Sequence, residues 1–154
     1  MSLIFKVKGK EQEVKFDFKT LFKANRELSS KNPETGKKND DGAFNLFTQI
    51  NEGSDEGIIN LIQLTGNKVT EEQALDAMAQ YMEDYELDDE EAYDQLFKDV
   101  KDELLNSGFF VGKLKKQVDT MEKGAKTIEK HGTEEQKEQI PLMKEQIEML
   151  KKEI

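Results

Sequence analysis

The sequence contains no cysteine and only one histidine. Without cysteine the chain has no disulfide framework and no thiolate chemistry. His131 has no second histidine or cysteine with which to share a metal, and most nucleophile–base pairs cannot be assembled without those residues. It precedes Gly132 at a predicted helix end, where an imidazole meets the negative pole of the helix dipole. We therefore expect a structural role for His131, with no metal site.

Long apolar runs and nucleotide-binding motifs are also missing. The longest apolar runs, such as Ile58-Ile59 with Leu61-Ile62, fall far short of a membrane span, and the N-terminus lacks the pattern of a signal peptide. No Gly-Lys-Ser/Thr phosphate loop or Gly-x-Ser-x-Gly elbow occurs. The acidic run at 83–91 lacks the alternating ligands and the turn glycine of a calcium loop. We expect a cytoplasmic protein that binds no cofactor and no membrane and is not an enzyme.

Charge is abundant and unevenly distributed over the 154 residues, whose net charge is −10. Residues 1–38 carry ten basic and five acidic groups, whereas residues 39–112 carry three basic and nineteen acidic groups. Residues 113–154 are nearly balanced, with ten basic and nine acidic groups. Because the acidic middle repels phosphate backbones, nucleic acid is not an expected partner.

The N-terminal residues alternate between apolar and polar, as strands with one buried face do. The apolar members are Phe5 and Val7 in a first run, and Val14, Phe16 and Phe18 in a second. Residues 8–12 separate the two runs, and Gly9 can supply the positive φ of a tight reversal. We predict a β-hairpin that packs on helices, because an isolated hairpin is marginal in water.

After the hairpin, apolar residues recur at the spacing of a helix. The first helix has one apolar side, made by Phe18, Leu21, Phe22 and Leu28. A polar surface loop at 31–40 comes next, and further helices start at residues suited to capping. These starts are Asp41, Ser54, Thr70 in a capping box with Gln73, and Asp88. Gly108 stands where a left-handed C-cap would end the bundle.

Beyond the bundle, two narrow apolar stripes recur at spacings of three and four, with a second capping box at 133–136 between them. Pro141 is expected to kink the second stripe or delay its helix. The sequence thus predicts an α+β fold, mainly α. Residues 1–110 form a hairpin plus helical bundle domain, and residues 111–154 form a C-terminal helical hairpin or coiled-coil arm.

Candidate protein-binding residues lie near the end of the bundle. Adjacent Phe109 and Phe110 cannot both face inward on one helix, so one can anchor the arm while the other faces a partner; the alternative is burial of both in a turn. Aromatic side chains of the acidic helices can form an adaptable surface or plain core, and the first residues of the arm's stripe complete a groove. The remaining candidates are Tyr81, Tyr85, Tyr93, Leu114 and Val118.

The order of these elements resembles the tail tube assembly chaperones of long-tailed (siphovirus-type) bacteriophages and prophages of Gram-positive bacteria. The resemblance spans roughly residues 3–120 and rests on Gly9–Phe18, Gly57–Leu64, Asn67–Leu75 and the acidic helix closing in Glu103–Phe110. It implies a non-enzymatic chaperone that binds the tape measure protein and recruits tail tube subunits. Such a protein acts in the host cytoplasm and is absent from the mature virion.

Two other interpretations remain open on the sequence. One is a scaffold whose C-terminal stripes form a coiled coil between copies, which makes a homo-oligomer. The other is a small bacterial adaptor protein that binds other proteins.

Overall fold

The structure is a computed structural model that describes residues 3–154. Within that range the chain forms one antiparallel pair of strands and eight helices. The strands are β1 (Leu3–Val7) and β2 (Lys10–Val14). The helices are α1 (Phe18–Leu28), α2 (Gly42–Asn51), α3 (Asp55–Thr65), α4 (Glu71–Glu83), α5 (Asp89–Leu105), α6 (Gly108–His131), α7 (Glu134–Glu138) and α8 (Ile140–Glu153). The predicted α+β, mainly α fold is confirmed.

The hairpin is tighter than the sequence suggested. Strand β1 pairs with β2 from Leu3 opposite Val14 to Val7 opposite Lys10, which leaves a two-residue turn. Both turn residues have positive φ, 55° at Lys8 and 76° at Gly9, as a type I′ turn requires. The prediction of a second strand running through Phe16 to Phe18 is wrong, because the short turn moves the strand four residues earlier in the chain.

The hairpin and the first five helices enclose a shared core. Strand β1 alternates buried and exposed residues, and its inner face packs on α4, where the rings of Phe5 and Tyr81 lie 4.8 Å apart. The largest fully buried side chains of this part of the chain are Phe5, Leu46, Phe47, Ile50, Ile58, Leu61, Ile62, Leu96, Leu104 and Phe110. The hairpin therefore packs on the helical bundle, as predicted.

Helices α1 and α2 approach each other so closely that a glycine is required between them. A Cβ atom added at Gly42 would lie 1.9 Å from the carbonyl oxygen of Ala24. Ala24 itself is fully buried, and Thr20 one turn earlier is nearly so. The small-residue side of α1 thus faces the core.

The end of the bundle differs from the prediction at Gly108. Helix α5 ends at Leu105, with Asn106 as its C-cap, and Gly108 begins α6. Gly108 is not among the glycines with positive φ, so it is no left-handed cap. Ser107 takes over the local hydrogen bonding, since its Oγ accepts from the backbone N–H of Phe110 at 3.3 Å.

The C-terminal helices form an antiparallel hairpin. Lys144 in α8 pairs with Glu129 in α6 at 2.6 Å, and Lys151, farther along α8, pairs with Glu122, farther back in α6. Pro141 is the second residue of α8, so it delays the start of that helix. The apolar stripe buries Ala125, Ile140, Ile147 and Leu150.

The chain divides into two compact units, one ending at Phe110 and one beginning at Val111. The first contains the hairpin and α1 to α5, and the second contains most of α6 together with α7 and α8.

Candidate protein-binding surface

The predicted pair of phenylalanines is divided between surface and core. Phe109 is 56% exposed, whereas Phe110 is 0% exposed and meets the ring of Phe16 edge-on with centroids 5.1 Å apart. The substitution Phe110→Asp would therefore put a charge into the core and destabilise the fold, so it cannot test partner binding. Phe109 is the member of the pair that is exposed to solvent, and its role in binding stays a prediction.

Leu114 and Val118, the two predicted residues from the arm, are buried, at 0% and 4% exposure. That burial is typical of residues that stabilise a fold. Their role in binding stays a prediction, as does a groove between residues 71–105 and the arm.

Tyr81 of α4 and Tyr85 of the turn after α4 belong to one cluster with residues of α5. Their rings meet edge-on with centroids 5.4 Å apart, and the Tyr85 hydroxyl donates to Asp99 Oδ2. Gln95 donates to the other Asp99 oxygen at 2.8 Å. Burial raises the pKa of both tyrosines, and the bond to Asp99 raises the pKa of Tyr85 further. The hydrogen bond of Tyr85 to Asp99 joins the turn after α4 to α5.

Tyr93 connects α5 to the start of α3. Its hydroxyl lies 2.7 Å from Asp55 Oδ1 and 3.0 Å from the carbonyl oxygen of Gly53. The hydrogen bond to Asp55, with a smaller contribution from burial, raises the pKa of Tyr93 to about 12. Its ring also lines an apolar cleft of about 510 Å³ with Met82 and Leu87, and Glu83 and Asp89 give that cleft an acidic margin.

The most exposed aromatic surface of the hairpin–bundle unit includes two residues that the sequence did not single out for binding. Phe18 and Phe22, one turn apart on α1, are 59% and 56% exposed. The Phe18 ring meets that of Phe109 at 6.1 Å between centroids, at an angle of 62°. We call Phe18, Phe22 and Phe109 the aromatic patch. Exposed aromatic residues that cluster mark interaction sites more often than single exposed apolar residues do.

Two hydrogen bonds fix the position of the aromatic patch. Asp17 caps α1 by accepting from the backbone N–H of Thr20 at 3.0 Å, a bond that holds the pKa of Asp17 below its usual value. Ser107 donates from Oγ to the carbonyl oxygen of Phe16. The start of α6 is thereby fixed beside the start of α1, across 91 positions of sequence.

A cleft of about 390 Å³ adjoins the aromatic patch. Phe18 and Phe22 line it together with Leu21, Asn25, Arg26, Lys38 and Asp40. The Arg26 guanidinium lies over the Phe22 ring, 5.8 Å from its centroid. Lys38 reaches the cleft because a bridge between Lys31 and Lys38 closes the polar loop, and its Nζ donates to the carbonyl oxygen of Arg26.

The sequence carried a signal for this outward aromatic face. The other side of α1 holds the small residues Thr20 and Ala24, and α2 begins with Gly42 and Ala43. Small residues on both helices allow a close approach, and that approach turns the aromatic side away from α2.

A metal centre is recognised by its residue types, and a membrane span by its length and hydropathy. Among residues 3–154, no group of three or more histidine, cysteine, aspartate or glutamate side chains is arranged to hold a metal ion. None of the helices in that range is both long enough and apolar enough to cross a bilayer.

The fold is small and mainly α, and it carries an exposed aromatic patch. The sequence pattern of a family described as "Phage tail assembly chaperone protein, TAC" matches residues 4–123. The chain therefore belongs to the phage tail assembly chaperone family, which confirms the resemblance at the level of that family. Neither a curated protein nor a solved structure matches it.

Proposed function

We propose that this protein is a non-enzymatic chaperone that binds the tape measure protein during phage tail assembly and recruits tail tube subunits to it. It acts in the host cytoplasm and is left out of the mature virion. The family match over residues 4–123 carries the proposal. A chaperone of this kind must cover apolar stripes of a long helical client, and it does so with exposed apolar anchors of its own.

Two exposed apolar surfaces of opposite charge support a role that brings two proteins together. Phe18 and Phe22 of the aromatic patch lie in a segment with a basic balance, whereas the cleft beside Leu87 is formed by the acidic helices α4 and α5 and the turn between them. Leu75 and Leu87 of those helices are 43% and 45% exposed. We propose that this acidic surface attracts basic stretches of a client, since opposite charges accelerate encounter and exclude wrong partners.

Co-expression with the tape measure and tail tube proteins of the same genome tests the proposal. We expect the tape measure protein to stay soluble and to co-purify with this chain, and tube subunits to join that complex. The result that overturns the proposal is an insoluble tape measure protein that the chain does not retain.

A coiled-coil scaffold is the competing function, and removal of residues 113–154 separates the two. The ion pairs between α6 and α8 join the two stripes within one chain, which weighs against a coil between copies. We propose that residues 1–110 are a domain and residues 111–154 an arm, so the shortened chain should still bind its client. A scaffold would instead lose its oligomeric state in sedimentation velocity.

A further inference from the structure

The aromatic patch is unusual because α1 buries its smaller residues and exposes its larger ones. Thr20 and Ala24 are 6% and 0% exposed, whereas Phe18 and Phe22 are each more than half exposed. Exposed phenylalanines cost solubility, so an outward aromatic face on a packed helix indicates a surface that a partner covers. Because Asp17 and Ser107 fix both helix starts, the patch is held in place before any partner arrives.

The shape of the patch fits a helical partner. Phe18 and Phe22 are four residues apart, which places their rings about 6 Å apart along the axis of α1. With the adjoining cleft of about 390 Å³, they make a ridge beside a groove. Apolar side chains of a partner helix, spaced by three and four residues, interdigitate with such a surface.

The charge around the patch indicates which sign of charge a partner's surface should carry. Residues 15–38 carry seven basic and three acidic groups. The balance of this segment is therefore +4, and the ion pair of Glu27 with Arg26 at 3.0 Å adds no net charge to it. Within the cleft, Arg26 and Lys38 face a single acid, Asp40. The surface is therefore apolar at its centre and basic at its margin.

Single-stranded nucleic acid also combines apolar faces with negative charge, but the structure favours a protein. The Phe18 and Phe109 rings meet edge-on at 62° and so do not form parallel stacking platforms.

We propose that the aromatic patch binds an amphipathic helical segment of a partner protein, one with apolar anchors at turn spacing and acidic residues beside them. This inference deepens the proposed function, on which it rests, by naming the chemistry of the client segment that this surface takes.

Peptide selection with the full-length chain tests the chemistry of the partner. The probe is a yeast-displayed library of random peptides about five helical turns long, selected on the wild type and counter-selected on a Phe18→Ser/Phe22→Ser variant. We expect the patch-dependent peptides to be acidic, with apolar residues at spacings of three and four. Patch-dependent peptides that are basic or uncharged, or no patch-dependent peptide at all, overturn the proposal.

Affinity measurements then separate apolar from electrostatic contributions. For a selected peptide, Phe18→Ser/Phe22→Ser should raise Kd about tenfold or more, as loss of central aromatic anchors does. Ile4→Ser/Leu142→Ser, at exposed aliphatic residues elsewhere, is the matched control and should leave Kd unchanged. Arg26→Glu/Lys38→Glu should also raise Kd, whereas the exposed pair Lys115→Glu/Lys116→Glu should not. Equal effects of a patch variant and its control contradict the assignment.

Two further measurements exclude other occupants. If oligo(dT) binds the wild type and not Phe18→Ser/Phe22→Ser, the occupant is nucleic acid and the proposal fails. If the wild type self-associates in sedimentation velocity and the same variant is monomeric, the occupant is a second copy and the proposal again fails.

The closing experiment repeats the tape measure co-expression with Phe18→Ser/Phe22→Ser. We expect this variant to lose the client while its circular dichroism spectrum matches the wild type. Retention of the client by the variant overturns the patch assignment and leaves the chaperone function standing. A wild type that binds the acidic peptide through the patch but retains no client overturns the chaperone function and leaves the patch standing.

Discussion

Helices α1 and α3 are each 11 residues long, and they use their apolar residues in opposite ways. Helix α3 buries its aliphatic side chains, Ile58, Ile59, Leu61, Ile62 and Leu64. Helix α1 buries Thr20 and Ala24 and leaves Phe18 and Phe22 more than half exposed. The first arrangement stabilises the bundle, and the second leaves an apolar surface for another molecule.

The difference teaches that a close helix contact can outweigh the burial of two aromatic rings. Placing an aromatic side chain where Ala24 lies would separate α1 from Gly42 and from the rest of α2. Interiors are packed at crystal-like density, so such a separation opens voids along the whole contact. The side of α1 that carries the small residues is therefore the side that packs against α2.

The largest expected effect contrasts a core residue of α3 with a patch residue of α1. Leu61→Ala should lower the free energy of unfolding by about 4 kcal/mol, since it removes a fully buried side chain and leaves a cavity. Phe22→Ala removes a larger side chain but should cost less than about 1 kcal/mol, because over half of that ring is already in water. Urea unfolding of both variants measures the contrast, and similar losses would show that the Phe22 ring belongs to the core.

The close contact of α1 with α2 is tested by Gly42→Ala. The added methyl group meets the backbone of Ala24, so we expect a loss of about 3 kcal/mol by urea unfolding. Gly124→Ala is the matched control, because its Cβ meets nothing within 4 Å and alanine is the better helix former. The control should be neutral or stabilising by up to about 1 kcal/mol. Equal stability of the two variants would mean that α1 and α2 can separate without cost.

The N-terminal caps of α1 and α3 sharpen the comparison between these two helices. Asp17 caps α1 with its side chain, whereas Ser54 at the start of α3 makes no side-chain cap bond. Asp17→Ala should therefore cost about 1 kcal/mol, and Ser54→Ala should cost much less. Because the pKa of Asp17 is lowered in the folded state, its contribution is present above about pH 4 and is lost as pH falls through the folded-state pKa. Thermal unfolding across this range should show the difference between wild type and Asp17→Ala shrinking with acid.

The smallest expected effect concerns Tyr93, which ties α5 to the first residue of α3. Its pKa is raised to about 12, so the folded state holds the proton more tightly than the unfolded state. The stabilisation is full below about pH 10, the unfolded value, and is lost as pH rises toward 12. Tyr93→Phe should unfold with a shallower pH dependence in this alkaline range. A parallel pH dependence for wild type and variant would contradict the bond to Asp55.

Local signals explain how much of the fold was predictable. The capping boxes of Thr70 with Gln73 and of Thr133 with Gln136 are both present, and Asp88 accepts from the N–H of Glu91 at 2.9 Å. Each cap depends on residues three positions apart, so the sequence alone specifies it. Asp41, predicted as a cap, instead accepts from the N–H and hydroxyl of Ser30 at 2.8 and 2.7 Å, a partner that local reasoning does not find.

The candidate surface was only partly predictable for a similar reason. Phe109 was proposed because two adjacent phenylalanines cannot share one helix face, and the structure exposes one of the pair. Phe18 was predicted both at the end of a strand and on the apolar side of the first helix, and neither Phe18 nor Phe22 was proposed for binding. Their exposure depends on Gly42, about twenty positions away, which no helical periodicity within α1 can reveal.

By itself the sequence determined the capped starts of α4, α5 and α7, the mainly α fold and the family. These follow from local hydrogen bonding, apolar periodicity and a pattern spread over residues 4–123. Only the tertiary structure decided which side of α1 faces water and which phenylalanine of the pair is buried. Those choices depend on the closest approach between segments far apart in sequence, Ala24 with Gly42 and Phe16 with Ser107. Packing at such contacts, and not the apolar content of a helix, determines which face is left for a partner.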